Sequence, residues 1–204
     1  MTPAVRLLMI LNFAVYVIQL VVGDALIAHF ALWPLGRHYV PGLGEVGFEP
    51  WQLFTSAFLH GGFAHIALNM YALLAFGSVV ERAAGTRRFT WLYFASVLSA
   101  GLVQLVVVTA ALDQGVMPTI GASGGVFGVL LAFAVLFPHS RVMLLFPPIP
   151  MKAWVLVSGY ALIELASGIL GSVQGVAHFA HLGGMLGAGL LLYYWGQHRT
   201  PAPR

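Results

Sequence analysis

The fold class predicted by this sequence is an all-α polytopic membrane protein built as a bundle of six transmembrane helices, and three observations carry the prediction. Of 204 residues, 60% are hydrophobic and only 7% charged, with a mean hydropathy of +0.91. A soluble domain of this length has no use for so much apolar surface. Six apolar stretches of about twenty residues are each long enough to cross a hydrocarbon core of roughly 30 Å as a helix. The basic residues supply the third observation. With the N-terminus inside, Arg6, Arg82, Arg87, Arg88, Arg141, Lys152, Arg199 and Arg204 fall on one side and Arg37 alone on the other. Cytoplasmic loops accumulate such residues during insertion, so both termini are expected in the cytoplasm.

The first span, about 6–28, follows Arg6 and runs apolar to near Val22. Leu26 and Ala28 make a poor small-x-small cleavage pair, so the segment reads as a retained span and not as a signal peptide. The connection at about 29–59 is rich in Gly and Pro but carries Phe30, Trp33, Tyr39, Phe48, Trp51, Phe54 and Phe58. That aromatic density predicts a loop lying in the membrane interface, the alternative being a poorly ordered connector. Further spans follow at about 60–80, 89–112, 120–137, 151–170 and 174–196, leaving little chain outside the bilayer and a single domain over 1–204.

Several function classes are excluded by composition. The formal charge of +3 is a topological signal with no basic groove for nucleic acid. Cysteine is absent, which removes disulfide and thiol chemistry. No His-Glu-x-x-His zinc motif occurs, no cofactor is called for, and Asp24 has no second aspartate at depth for an aspartyl protease. Gly121-Ala-Ser-Gly-Gly125 fits the letters of the G-x-S-x-G elbow, yet an apolar span offers no strand–turn–helix to hold one.

Three polar clusters interrupt the apolar segments: His60 with His65 and Asn69, Gly121-Ala-Ser123-Gly-Gly125, and Ala180-His181-Leu-Gly-Gly184. Polar side chains inside a bilayer are costly, so such clusters are by default a site. Spans two, four and six all enter from the outer face under the predicted topology. At 1.5 Å per residue, positions five to seven residues into a helix lie roughly 8–10 Å deep, so the clusters share one level. Small-xxx-small pairs at Gly121/Gly125, Gly124/Gly128 and Gly183/Gly187, with the series Ala180, Gly184, Ala188, let spans four and six approach closely. Ser123 Oγ then comes within hydrogen-bond reach of the His181 ring.

A serine hydroxyl needs a neighbouring base to become a nucleophile, and a histidine is suited to that task. Ser123 is therefore the candidate nucleophile and His181 the candidate general base. With Asp24 and Asp113 near span ends and Glu164 in span five, no carboxylate is expected at the imidazole, which makes a dyad and not a triad. His65 and Asn69, four apart on one helix face, join the Ser123 N–H as candidate oxyanion donors, with His60 higher and closer to water.

Each residue also has a plainer reading. Ser123 can satisfy an i−4 carbonyl, Asn69 can bond between helices, and His60 can be an interfacial polar group. His178 competes with His181 as base but lacks the following glycine at matching spacing. His29, His38, His139 and His198 read as solvated loop residues. Glu164 is open: protonated against a neighbour, lining a cavity, or tuning access.

The three clusters together resemble the rhomboid intramembrane serine proteases, over nearly the whole chain and including span order. Glu81-Arg82 followed by Gly85 is similar to that family's cytoplasmic turn. The resemblance implies a serine–histidine dyad, an oxyanion site from the second span, and single-pass membrane proteins cleaved in or near their transmembrane segment. It also implies lateral substrate entry past Trp154, Leu156 and Tyr160. Two departures stand out. Trp51-Gln52 replaces the family's common Trp-Arg, and Phe127 stands where a tyrosine often stacks on the histidine. The rival functions are an inactive relative that binds transmembrane helices and a small proton-relay transporter. Both Ser123 and His181 are present, and the chain shows no inverted repeat. A bacterial inner membrane is the expected location.

Overall fold

The computed structural model describes residues 1–110, 115–143, 148–170 and 177–197. The ends of the third expected span (111–112) and the start of the sixth (174–176) lie outside the described residues, as do Asp113, His198, Arg199 and Arg204. Helix α1 is Pro3–Val22 and α2 Asp24–Phe30. A break at Gly23 (φ 66°) ends α1 six residues before the predicted limit of 28, because that left-handed backbone is open to glycine and turns the chain.

Residues 29–59 are a built structure and not a plain loop. Strands β1 (Arg37–Val40) and β2 (Gly44–Gly47) pair antiparallel, and helix α3 (Gln52–Thr55) leads into a 3₁₀ turn at Ser56–Phe58. Ala31, Trp33, Val46 and Leu59 form a small core of their own against Val15 and Leu26. Gln52, which follows Trp51 in this segment, is buried. Its Oε1 accepts from Trp33 N–H (3.2 Å) and its Nε2 donates to the carbonyls of Gly47 (3.1 Å) and His29 (3.4 Å). A neutral amide thus ties three backbone groups that an apolar side chain would leave unpaired.

Helices α4 (Phe63–Ala72) and α5 (Ser78–Ala84) are continuous through a π-helical turn at Leu73–Gly77. Glu81 anchors the start of α1: its carboxylate accepts from the N–H groups of Ala4 (2.9 Å) and Val5 (3.0 Å) and from Thr86 Oγ1 (2.8 Å). These are the first-turn donors that a helix cannot satisfy itself. Helix α6 (Thr86–Ala110) is the central element, α7 is Ser123–Leu136, a second hairpin pairs β3 (Arg141–Met143) with β4 (Pro150–Lys152), and α8 (Ala153–Leu170) and α9 (His178–Gln197) follow. The two hairpins qualify the all-α expectation.

Helices therefore occupy all six expected positions. Among the described residues, four helices, at Pro3–Val22, Phe63–Ala84, Thr86–Ala110 and Ala153–Leu170, are long and apolar enough to cross a membrane. Helix α7 is apolar but has only 14 residues, and α9 dilutes its apolar content with His178, His181 and a run of glycines.

The tightest packing is among α6, α7 and α9, and glycine makes it possible. A Cβ on Gly184 would strike the Gly124 carbonyl, and one on Gly128 would strike the Ser96 hydroxyl. A Cβ on Gly183 would sit 3.0 Å from the Ala100 Cα, and one on Gly187 2.7 Å from the Ala95 carbonyl oxygen. Backbones in this seam touch directly, the geometry expected of small-residue membrane helix contacts.

Candidate active site

Ser123 is the first residue of α7, and the segment entering it is clamped from two sides. Leu32 and Thr119 exchange backbone hydrogen bonds (3.0 and 2.9 Å), and Gly121 N–H donates to the Ser56 carbonyl (2.9 Å). Gly121 has φ 127°, and a Cβ there would lie 2.8 Å from His65 Nε2, so both backbone and space require glycine. No side chain caps α7. The N–H of Ser123 is thus one of the donors that a helix start leaves without an intrahelical acceptor.

From α9, His181 Nε2 lies 2.8 Å from Ser123 Oγ. Gly184 and Gly124, close by on the same two helices, bring the backbones of α9 and α7 into direct contact. Phe127, one turn after Ser123, stacks on the His181 ring with centroids 4.2 Å apart and planes 5° from parallel. The aromatic position thus covers the imidazole without a phenol hydroxyl.

His65 on α4 accepts a hydrogen bond at Nδ1 from Gly61 N–H (3.3 Å). A backbone N–H can only donate, so the neutral ring carries its proton on Nε2, the atom beside Gly121. Asn69 is buried, but its Nδ2 donates to the carbonyl of His65 (3.0 Å) in its own helix and makes no hydrogen bond to Ser123 or His181. His65 and the Ser123 N–H therefore meet at the Gly121–Ser123 turn, while the Asn69 amide is engaged within its own helix.

His60 departs from expectation. It is 1% exposed and not close to water. Its backbone is held by Gln19, whose Oε1 accepts from His60 N–H (3.0 Å) and whose Nε2 donates to the His60 carbonyl (2.7 Å). Its ring stands edge-on to His65 at 5.1 Å.

The largest departure concerns the carboxylate. Glu164, on α8, places Oε2 2.6 Å from His178 Nδ1 and 3.0 Å from His181 Nδ1. The expectation that no carboxylate reaches the imidazole is corrected, because α8 lies against α9 at this level. The His178 contact is a well-aligned hydrogen bond. The His181 contact has the length of one but lies off the ring N–H direction. The sequence carries a clue: a carboxyl in an apolar span must be paired, and His178, the rival candidate for the base, lies three residues before His181.

A cavity of about 30 Å³ adjoins Ser123, lined in part by Ser56, Gln104, Thr119 and Gly121, with room for about one water. Gln104 Nε2 donates to Thr119 Oγ1 (3.3 Å), and its Oε1 has no partner among the described residues. Of the side-wall residues on α8, Trp154 and Tyr160 are exposed, whereas Leu156 is buried.

Residues 47–198 match the family model for the Rhomboid domain. Rhomboid protein 1, mitochondrial, of Saccharomyces cerevisiae is 38% identical over 147 residues, covering 71% of this chain and 41% of the relative. Rhomboid protease GluP of Bacillus subtilis is 32% identical over 139 residues, covering 68% of this chain and 25% of the relative. The presenilin-associated rhomboid-like protein, mitochondrial, of Mus musculus is 31% identical over 138 residues, covering 66% of this chain and 35% of the relative. The chain thus spans less than half the length of these relatives. A domain match over most of the sequence, with identities of this size, means that the chain belongs to the rhomboid family.

Proposed function

We propose that this protein is an intramembrane serine endopeptidase that hydrolyses peptide bonds in or near the transmembrane segments of single-pass membrane proteins. The observation that carries the reading is the 2.8 Å contact between Ser123 Oγ and His181 Nε2 at the open start of α7. In this reading, His181 Nε2 takes the hydroxyl proton as Ser123 Oγ attacks the scissile carbonyl. The developing oxyanion is met by the Ser123 N–H and the His65 Nε2–H, with Asn69 supporting His65 through its backbone carbonyl. The proton passes from His181 to the leaving amine. A water, for which the cavity lined by Gln104 and Thr119 offers room, then hydrolyses the acyl-enzyme.

The whole chain, 1–204, acts as one membrane domain with six crossings and both termini in the cytoplasm, in a bacterial inner membrane. The short α7 is a crossing largely covered by neighbouring helices, and α9 packs its glycine face against them while Leu186, Leu190 and Tyr193 remain exposed. A substrate helix must unwind locally to be cut, because a regular helix engages its carbonyls in its own hydrogen bonds. Segments weakened by Gly, Pro or small residues near the outer boundary are the expected substrates.

Cleavage of a tagged single-pass reporter by the purified protein tests the reading. Wild type is expected to cut, with activity lost by at least about a thousandfold in Ser123→Ala and in His181→Ala. Cutting that persists in Ser123→Ala would assign the chemistry elsewhere. Reporter helices that bind without being cut by wild type would favour an inactive binder of transmembrane segments.

A further inference from the structure

We propose that Glu164 is the positioning carboxylate of His181, one Oε2 atom being shared between His181 and His178 so that the site works as a Ser123–His181–Glu164 relay braced by His178. The inference rests on the serine protease reading and adds to it a third residue, supplied by the helix at the rim.

Helix α8 presents Leu162, Ile163, Leu165, Ile169 and Leu170 to its surroundings, all exposed. Glu164, the one charged residue of α8, is buried and points at α9. One turn on, a Cβ at Gly168 would meet the Phe179 ring at 2.9 Å and His178 Cβ at 3.3 Å, so glycine brings α8 close at this level. An unpaired carboxylate in such a place is strongly unfavourable. The partner is a pair of imidazoles three residues apart on one face of α9, both reached through Nδ1.

The tautomers follow. A carboxylate oxygen only accepts, so His178, hydrogen-bonded to it, carries its proton on Nδ1, and the carboxylate 3.0 Å from His181 Nδ1 favours the same tautomer there. For His181 this leaves the lone pair on Nε2, aimed at Ser123 Oγ at 2.8 Å, the arrangement a general base requires. When Nε2 takes the serine proton, Glu164 lies beside the new imidazolium charge. His178 is held by the shorter contact, 2.6 Å, and its Nε2 is buried without a partner among the described residues, so it fixes the carboxylate and takes no proton from Ser123. The off-axis 3.0 Å contact to His181 becomes more favourable once proton transfer from Ser123 charges the ring.

Reporter cleavage by Glu164→Gln, His178→Gln, Ser123→Ala and His181→Ala, run beside histidine ¹⁵N NMR of the wild type, tests the proposal. Glu164→Gln is expected to lower kcat about 10- to 100-fold with KM within about twofold, the range typical of outer partners that orient a reacting group. His178→Gln is expected to lose less, about three- to tenfold, because Glu164 remains. A purely structural Glu164 would instead lower the melting temperature and leave kcat of the folded fraction unchanged, which overturns the proposal. The NMR arm does not depend on any variant folding: His181 protonated at Nδ1 supports the relay, and protonation at Nε2 overturns it. Wild-type kcat in Glu164→Gln alongside dead Ser123→Ala and His181→Ala removes the relay and leaves the dyad. Cutting by Ser123→Ala removes the protease reading and the relay with it.

Discussion

The seam joining α6, α7 and α9 and the contact joining α8 to α9 hold the same histidine helix by opposite means. In the seam, Gly124, Gly128, Gly183, Gly184 and Gly187 bring backbone against backbone, and the atoms a side chain would strike are carbonyls, Cα atoms and short side chains. At α8, one glycine meets the end of a phenylalanine ring, and one carboxylate meets two imidazoles. A backbone cannot yield without moving its helix, whereas a ring can swing toward lipid. The seam is therefore suited to hold the Ser123–His181 distance, and α8 is suited to move while touching the site through a polar contact.

The largest effect expected from breaking this contrast is at Gly184. Gly184→Val puts a branched side chain into the Gly124 backbone, and overpacking of this kind costs about 1–3 kcal/mol. The separation of α7 and α9 then shifts Ser123 from His181. Since about 1 Å of misplacement can cost a hundredfold in rate, reporter kcat is expected to fall at least that far, with a lower melting temperature in detergent. Near-wild-type turnover would show that the seam does not set the catalytic distance.

Gly168→Leu sharpens the other side of the comparison. The inserted side chain meets Phe179, which can rotate, so α8 tilts without disrupting the seam. A drop of about tenfold in kcat is expected, with the melting temperature little changed, because only the Glu164 contact is lengthened. A melting loss as large as that of Gly184→Val would mean that α8 is as integral to the core as α7.

What could be read beforehand divides along physical lines. Spans are legible because a bilayer demands long apolar runs, and all six predicted positions hold helices. Their ends were less legible: the break at Gly23 depends on one residue's φ, which hydropathy does not sense. The pairing of Ser123 with His181 was legible because small-residue spacing encodes which helix faces meet. The reach of Glu164 was not, since it depends on the rotation of α8 about its own axis, and a lipid-facing helix carries little amphipathic signal. The order within 29–59 was hidden for another reason. It comes from Gln52 and from the Leu32–Thr119 bridge, pairings between residues far apart in the chain, and aromatic density reports only affinity for the interface.

Phe127 gives the smallest effect and belongs to both regions at once. Its ring stacks on His181 at 4.2 Å and meets Tyr160 of α8 edge-on at 6.1 Å. Aromatic contacts of this kind contribute about 0.5–1.5 kcal/mol beyond their burial. Phe127→Leu keeps most of the apolar cover but loses the flat face that fixes the ring plane, so kcat should fall about threefold, near the lower end of that range. Phe127→Tyr restores the face and is expected to stay within about twofold of wild type. If the leucine variant matches wild type as well, then the ring is oriented from its Nδ1 side by α8 and from its Nε2 side by Ser123, and the stack contributes burial alone. Equal losses in both variants would instead indicate that the space between α7 and α8 is too tight for a hydroxyl. Cleavage kinetics of the two variants therefore show whether His181 is held by its flat face or by its two nitrogens.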